Sequence, residues 1–118
     1  MDIEERFTPE AAEVLRDAIA DAGGNEVFAA CRIDEDGLIS EVLVSARGHK
    51  GAVLALDSHV DRGDVIVHNH PSGALRPSDA DLNVAGDAGS KGVGSYIVNN
   101  AVTEVYVIAE PSRRKASA

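Results

Sequence analysis

Cysteine is nearly absent: Cys31 is the one thiol in 118 residues. A lone cysteine cannot close an internal disulfide, and it excludes a cysteine-rich zinc site. It lies inside an apolar run and reads as a small core residue rather than a nucleophile. Aromatics are scarce too, with two Phe, two Tyr and no Trp. The core must therefore be built from Val, Ile, Leu and Ala. Basic residues are outnumbered, 11 Lys and Arg against 20 Asp and Glu, for a formal net charge of −9. Binding to a phosphate backbone needs clustered Lys and Arg, so direct nucleic-acid contact is not expected. An acidic surface suits a partner or substrate with a basic face. No apolar run approaches the roughly 20 residues of a membrane helix. Met1–Arg6 is charged and acidic, unlike a secretion signal. The expectation is a cytoplasmic protein without membrane contact.

What is present suffices for one domain with a core of its own, since 44% of the residues are apolar. Residues 1–7 read as a polar lead with Phe7 as an anchor. Thr8-Pro9-Glu10 starts a helix, with Thr8 as N-cap and Pro9 at the first helical position. Ala12, Leu15, Ala18 and Ile19 recur at helical spacing until Gly23-Gly24 stops the run. Glu26–Ile33 and Leu38–Ser45 read as an antiparallel hairpin across the turn Asp34-Glu35-Asp36-Gly37. Residues 47–51 read as a loop, and Ala52–Leu56 as either a strand or a helical turn. Asp57–Asp64 is a polar connection. Val65-Ile66-Val67 is a buried strand. Ser78 to about Ser90 is a helix whose Ala85, Gly86, Ala88 and Gly89 suit a close approach to a sheet. Val93–Val98 and Ala101–Ala109 are strands joined by a turn at Asn99-Asn100. This order gives an α/β sandwich with a mixed sheet. Residues 1–110 form the domain, and 111–118 are a polar tail or the linker to a larger protein.

The chemistry concentrates in Val65–Asp81, VIVHNHPSGALRPSDAD. His68 and His70 stand two apart at the end of the strand, so both project to one side. Their Cα atoms then lie roughly 6.5 Å apart, twice the rise per residue. Two imidazoles at that separation can converge on one metal ion with bonds of about 2 Å. Pro71 has no N–H and turns the chain out of the sheet. Ser78-Asp79-Ala80-Asp81 opens a helix in the manner of a capping box, which returns Asp81 to the strand end. Two nitrogens and a carboxylate leave a fourth tetrahedral position for water, as a catalytic zinc requires. An isolated His-X-His is equally a hydrogen-bonded pair, and Asp81 alone is equally a helix cap. The combination His-X-His-Pro followed by Ser-X-X-Asp is narrower.

The stretch resembles the JAMM (MPN-plus) metalloprotease signature, and HNHPSG followed by PSDAD is closest to its RadC-like and bacterial JAB branch. The motif spans about a seventh of the chain, and the order of elements resembles the family over most of residues 1–110. The resemblance implies a three-layer α/β/α, cytidine-deaminase-like fold and Zn2+ on His68, His70 and Asp81. It also implies a role for Ser78 in stabilising an oxyanion or orienting water, beside its role as a cap.

Hydrolysis needs a proton shuttle close to the attacking water. On the residues alone, Asp34, Glu35, Asp36, Glu41 and Glu26 are all candidates, and Glu26 is equally an exposed charge at a strand start. The resemblance points to Glu26. Asn69, between the histidines, faces the other way and is expected to brace the loop. His49 and His59 read as surface residues. The implied activity is hydrolysis of a peptide or isopeptide bond, as in a ubiquitin-like protein conjugate. The alternative is a RadC-like or helicase-attached accessory module in DNA repair, without peptidase activity. A zinc deaminase is excluded, because its His-X-Glu and Pro-Cys-X-X-Cys segments are missing.

Overall fold

The computed structural model describes residues 1–47 and 60–112. The readings of His49, His59, residues 48–51, Ala52–Leu56 and the first part of Asp57–Asp64 lie outside them. The elements run in the order of a 3-10 turn (Ile3–Glu5), α1 (Pro9–Asp21), β1 (Val27–Ile33), β2 (Ile39–Arg47), β3 (Val65–Asn69), α2 (Asp79–Ser90), β4 (Gly94–Val98) and β5 (Val105–Ala109).

The described strands form a five-stranded sheet in the order β2-β1-β3-β4-β5. β1 pairs antiparallel with β2 and β3, β4 pairs antiparallel with β5, and β3 and β4 are parallel. Parallel neighbours need a crossover, and the segment containing α2 supplies it. Alternation along the central strands fills both faces. Val27, Ala29 and Cys31 of β1 join Val65 and Val67 of β3 in a cluster with Ala11, Ala12, Leu15 and Ile19 of α1. Phe28, Ala30 and Ile66 point to the opposite face and meet Ala88 of α2. Helices on both faces of a mixed sheet give the three-layer α/β/α sandwich.

α1 begins where its sequence directs. Thr8 Oγ1 accepts a bond from the Ala11 N–H at 3.2 Å, and Pro9 fills the first helical position. Gly23 and Gly24 follow the helix at φ +65° and +86°, the left-handed region that glycine enters without steric cost. The hairpin turn is held by Asp34 Oδ1, which accepts from the N–H groups of Asp36 and Leu38.

Several boundaries differ from expectation. The N-terminal lead is fixed by two apolar residues: Ile3 and Phe7 are both buried, and Ile39 N–H donates to Arg6 O at 2.7 Å. β2 runs on to Arg47 rather than ending at Ser45. β5 starts at Val105 rather than Ala101, because Asn99 Oδ1 accepts from the N–H groups of Thr103 and Glu104 and holds a wider turn. Val102 sits in that turn at φ +51° with its side chain fully buried. A β-branched residue in this region is strained, and burial in the core holds it there. In α2 only Ala85 and Ala88 face inward, while Gly86 and Gly89 are exposed. A Cβ at either glycine would meet nothing within 4 Å, so the close approach does not need them.

Candidate metal centre

β3 ends in the middle of the motif. His68 is its fourth residue and is buried, and His70 lies one residue past its end. Both rings project toward the head of α2. There Ser78 and Asp81 form a reciprocal capping box: Asp81 N–H donates to Ser78 Oγ at 3.1 Å, and Ser78 N–H donates to Asp81 Oδ2 at 2.8 Å. The helix cap thus aims the Asp81 carboxylate back at the strand. Its two oxygens divide between the imidazoles, with Oδ1 at 3.1 Å from His68 Nε2 and Oδ2 at 2.8 Å from His70 Nε2.

Glu26 arrives from the residue before β1 and completes the cluster. One ligand atom from each of Glu26, His68, His70 and Asp81 lies within 4.8 Å of the others. The four positions come from three separate parts of the chain, meeting at the end of the sheet where β1 starts and β3 finishes.

Both rings are braced from behind. His70 Nδ1 lies 3.0 Å from the carbonyl oxygen of Ala74, an acceptor, so Nδ1 carries a hydrogen and Nε2 faces the cluster. A carbonyl behind an imidazole is the usual partner of a metal-ligating histidine. His68 is stacked on Phe28, with ring centroids 5.2 Å apart and planes 20° from parallel. Sequence reading missed Phe28 and Ala74. Phe28 becomes adjacent to His68 only through the antiparallel register of β1 on β3, which pairs those two residues. No local pattern announces it.

The electrostatics favour a cation. Burial is the largest influence on His68 and lowers its pKa, with Asp81 opposing and His70 reinforcing. The ring therefore stays neutral, the form that binds metal. Burial pushes the Asp81 carboxyl upward, but the Ser78 N–H and the two histidines outweigh it and leave the pKa below the ordinary value. Glu26 is shifted the other way: burial raises its pKa, His70 lowers it, and Asp81 raises it.

Whether the donor set fits a metal can be tested on His68. Its Nε2 is buried and makes no hydrogen bond, although Asp81 Oδ1 is only 3.1 Å away. The two atoms are close, but the contact lacks the geometry of a hydrogen bond. An unpaired buried nitrogen costs stability unless something else engages it. A cation between His68, His70 and Asp81 would engage it, and the donors are those that suit zinc. The residues fit the group.

Ser78 stands beside Asp81 rather than among the four. Its Oγ accepts the bond from Asp81 N–H, and its hydroxyl hydrogen is committed to no hydrogen bond among the described residues. Asn69 faces away from the cluster, is fully buried, and accepts from Val27 N–H at 2.8 Å. Asp34 and Asp36 lie in the hairpin turn and Glu41 on β2, where Glu41 is 3.9 Å from Arg32. None of these three acids joins the cluster. A cavity of about 660 Å³ lies elsewhere, lined by Arg6, Asp34, Tyr96 and Glu110 among others, and holds none of the four residues. No helix among the described residues is long and apolar enough to cross a membrane.

Comparison with known proteins adds a fold and no more. No family sequence model matches the chain, and no curated protein sequence matches it. A solved JAB1/MPN domain protein from Archaeoglobus fulgidus superposes with a TM-score of 0.55 at 19% sequence identity, covering 92% of this chain and 94% of that one. At that identity the likeness is one of architecture: this mixed sheet between two helices is the α/β fold of a JAB1/MPN domain.

Proposed function

We propose that the chain is a zinc metallohydrolase that cleaves a peptide or isopeptide bond, in the manner of the RadC-like and bacterial JAB proteins. One observation carries the reading: two imidazoles from the end of β3 and a carboxylate from the head of α2 converge on one point, with a second carboxylate beside them. His68, His70 and Asp81 are the ligands, and Glu26 is left over for proton transfer.

Bound there, zinc supplies a Lewis acid for the scissile carbonyl and lowers the pKa of a coordinated water to about 7. The chain does the rest. Asp81 supplies negative charge, and Ser78 N–H keeps its carboxylate turned inward. Ala74 and Phe28 keep the two rings aimed. Glu26 takes the proton of the attacking water on its carboxylate as the new C–O bond forms. It then delivers that proton to the leaving nitrogen as the C–N bond breaks. Ser78 has a hydroxyl hydrogen to offer to the developing oxyanion. The substrate is a peptide or an isopeptide-linked, ubiquitin-like conjugate.

Metal analysis and a peptidase assay on isopeptide-linked substrates test this together. Stoichiometric zinc with hydrolysis that Glu26→Gln lowers by about 10²–10⁴-fold is the expected result. Zinc without hydrolysis on any such substrate would turn the reading toward a non-catalytic, accessory module.

A further inference from the structure

The Glu26 carboxylate makes no hydrogen bond among the described residues, and only charge links it to His70 and Asp81 there. It follows the Gly23-Gly24 turn and precedes the first paired residue of β1. Its position must therefore be set through its main chain. The main-chain register of β1 on β3 ends at the Phe28–His68 pair. One residue further on, a side chain takes over. Asn69 Oδ1 accepts from Val27 N–H at 2.8 Å, and Asn69 Nδ2 reaches Asn25 O at 3.4 Å. These belong to the two peptide groups on either side of Glu26.

The Asn69 amide is itself fixed. Its Nδ2 also donates to Asn100 Oδ1 at 2.8 Å, and Asn100 Nδ2 donates to Pro71 O at 3.2 Å. With one acceptor and two donors engaged, the amide has a single workable orientation. Asn100 stands on the turn whose strained Val102 is buried in the core, which anchors that turn to the sheet. One amide pair thus ties the Glu26 main chain to the ligand strand and to the loop after His70.

We propose that Asn69 is a positioning residue: its side chain clamps both peptide groups flanking Glu26 and so holds that carboxylate against the His68–His70–Asp81 cluster. The job needs a donor and an acceptor at this length. Asp lacks the donor, and Ser is too short. The catalytic meaning of the clamp rests on Glu26 as the proton shuttle, but the clamp itself does not depend on metal or activity.

The test uses the full chain with Asn69→Ala, Asn100→Ala and Asn100→Asp. In metal-free protein, nuclear Overhauser contacts between the Glu26 γ-protons and the imidazoles are expected in the parent. They are expected to vanish in Asn69→Ala, while contacts between the two imidazoles persist. Asn100→Ala should weaken them, and Asn100→Asp, which keeps the acceptor for Asn69 but loses the donor to Pro71 O, should restore them in part. Where Asn69→Ala fails to fold, the Asn100 pair carries the test. In zinc-loaded protein, Asn69→Ala should keep its zinc and its KM and lose about 10²-fold in kcat, the scale of a small misplacement of a reacting group. It should cost nothing further on a Glu26→Gln background. Glu26–imidazole contacts that survive in Asn69→Ala overturn the clamp, as does an equal kcat loss on the Glu26→Gln background. So do Glu26–imidazole contacts that survive intact in Asn100→Ala. A parent without zinc or activity whose Glu26 contacts still depend on Asn69 would remove the hydrolase and support the clamp.

Discussion

In the proposed centre His70 and Glu26 have separate jobs, metal binding and proton transfer, and each can be removed alone. His70 is half-buried and stands just past the end of β3, outside both apolar clusters. His70→Ala should therefore lose zinc and cost the metal-free fold about 1–3 kcal/mol, for the contacts of its ring with Ala74 O and Asp81, without unfolding it. Stoichiometric zinc in that variant would remove His70 from the ligand set. Glu26→Gln keeps the shape and the three ligands but cannot carry a proton, so it should retain zinc and lose about 10²–10⁴-fold in hydrolysis. Acid should act through His68 and Asp81 with the same sign. Both have folded pKa values below their ordinary 6.5 and 3.8, so the unfolded chain binds more protons. The metal-free protein should lose stability as pH falls below about 6.5 and again below about 3.8. Glu26 is raised above 4.5 and opposes the trend just above that value. A pH series of thermal melts reads the net slope, and a Tm that rises on acidification from pH 7 to 5 would contradict the burial of a neutral His68. The three proposed ligands were legible from spacing because a strand end, a turn and a helix cap are local devices. Phe28 and Asn100 were not, because each reaches the site only through the register of another strand.

α2 is where local chemistry and site geometry share the same atoms. Its capping box uses the Ser78 side chain toward Asp81 N–H and the Ser78 main chain toward the Asp81 carboxylate. Ser78→Ala removes only the first, and should cost about 1 kcal/mol of stability as other lost N-caps do. The carboxylate stays aimed by the remaining N–H, so zinc should stay bound. Loss of zinc in Ser78→Ala would show that the side chain, not the main chain, orients the ligand. The two exposed glycines of the same helix give a second handle. Alanine at Gly86 or Gly89 meets open space and should stabilise by roughly 0.5–1 kcal/mol at each position. Sequence reading assigned those glycines to sheet packing because small residues cluster along the helix. It could not tell which small residues face inward, since the inward arc of so short a helix is narrow and only Ala85 and Ala88 occupy it. The start of β5 was misplaced for a related reason. Asn99 can cap a tight turn or a wide one, and the choice was made by burying Val102.

On the scale of the molecule, the site adds polar links among β1, β3 and α2, elements that the smaller apolar cluster already joins through Phe28, Ile66 and Ala88. Glu26, His68, His70 and Asp81 lie at one end of the sheet, whereas the larger apolar cluster fills the face under α1. The metal-free fold should therefore persist, because its core needs none of the four. A bound ion adds a link between β3 and α2 that the unfolded chain cannot make. Ligand linkage sets the size of that gain at about 2.7 kcal/mol when free zinc is about 100 times Kd, on the order of 10 °C in Tm for a domain of this length. A chain of net charge −9 also attracts cations without any site, so a zinc-dependent rise alone proves little. The discriminating measurement compares the melting of the parent, His70→Ala and Asp81→Asn with zinc and with chelator. The parent should show the shift and the two variants should not, since each removes a ligand while the net charge changes little. An equal shift in all three would place the ion on the acidic surface instead of between β3 and α2, and the proposed centre would fail.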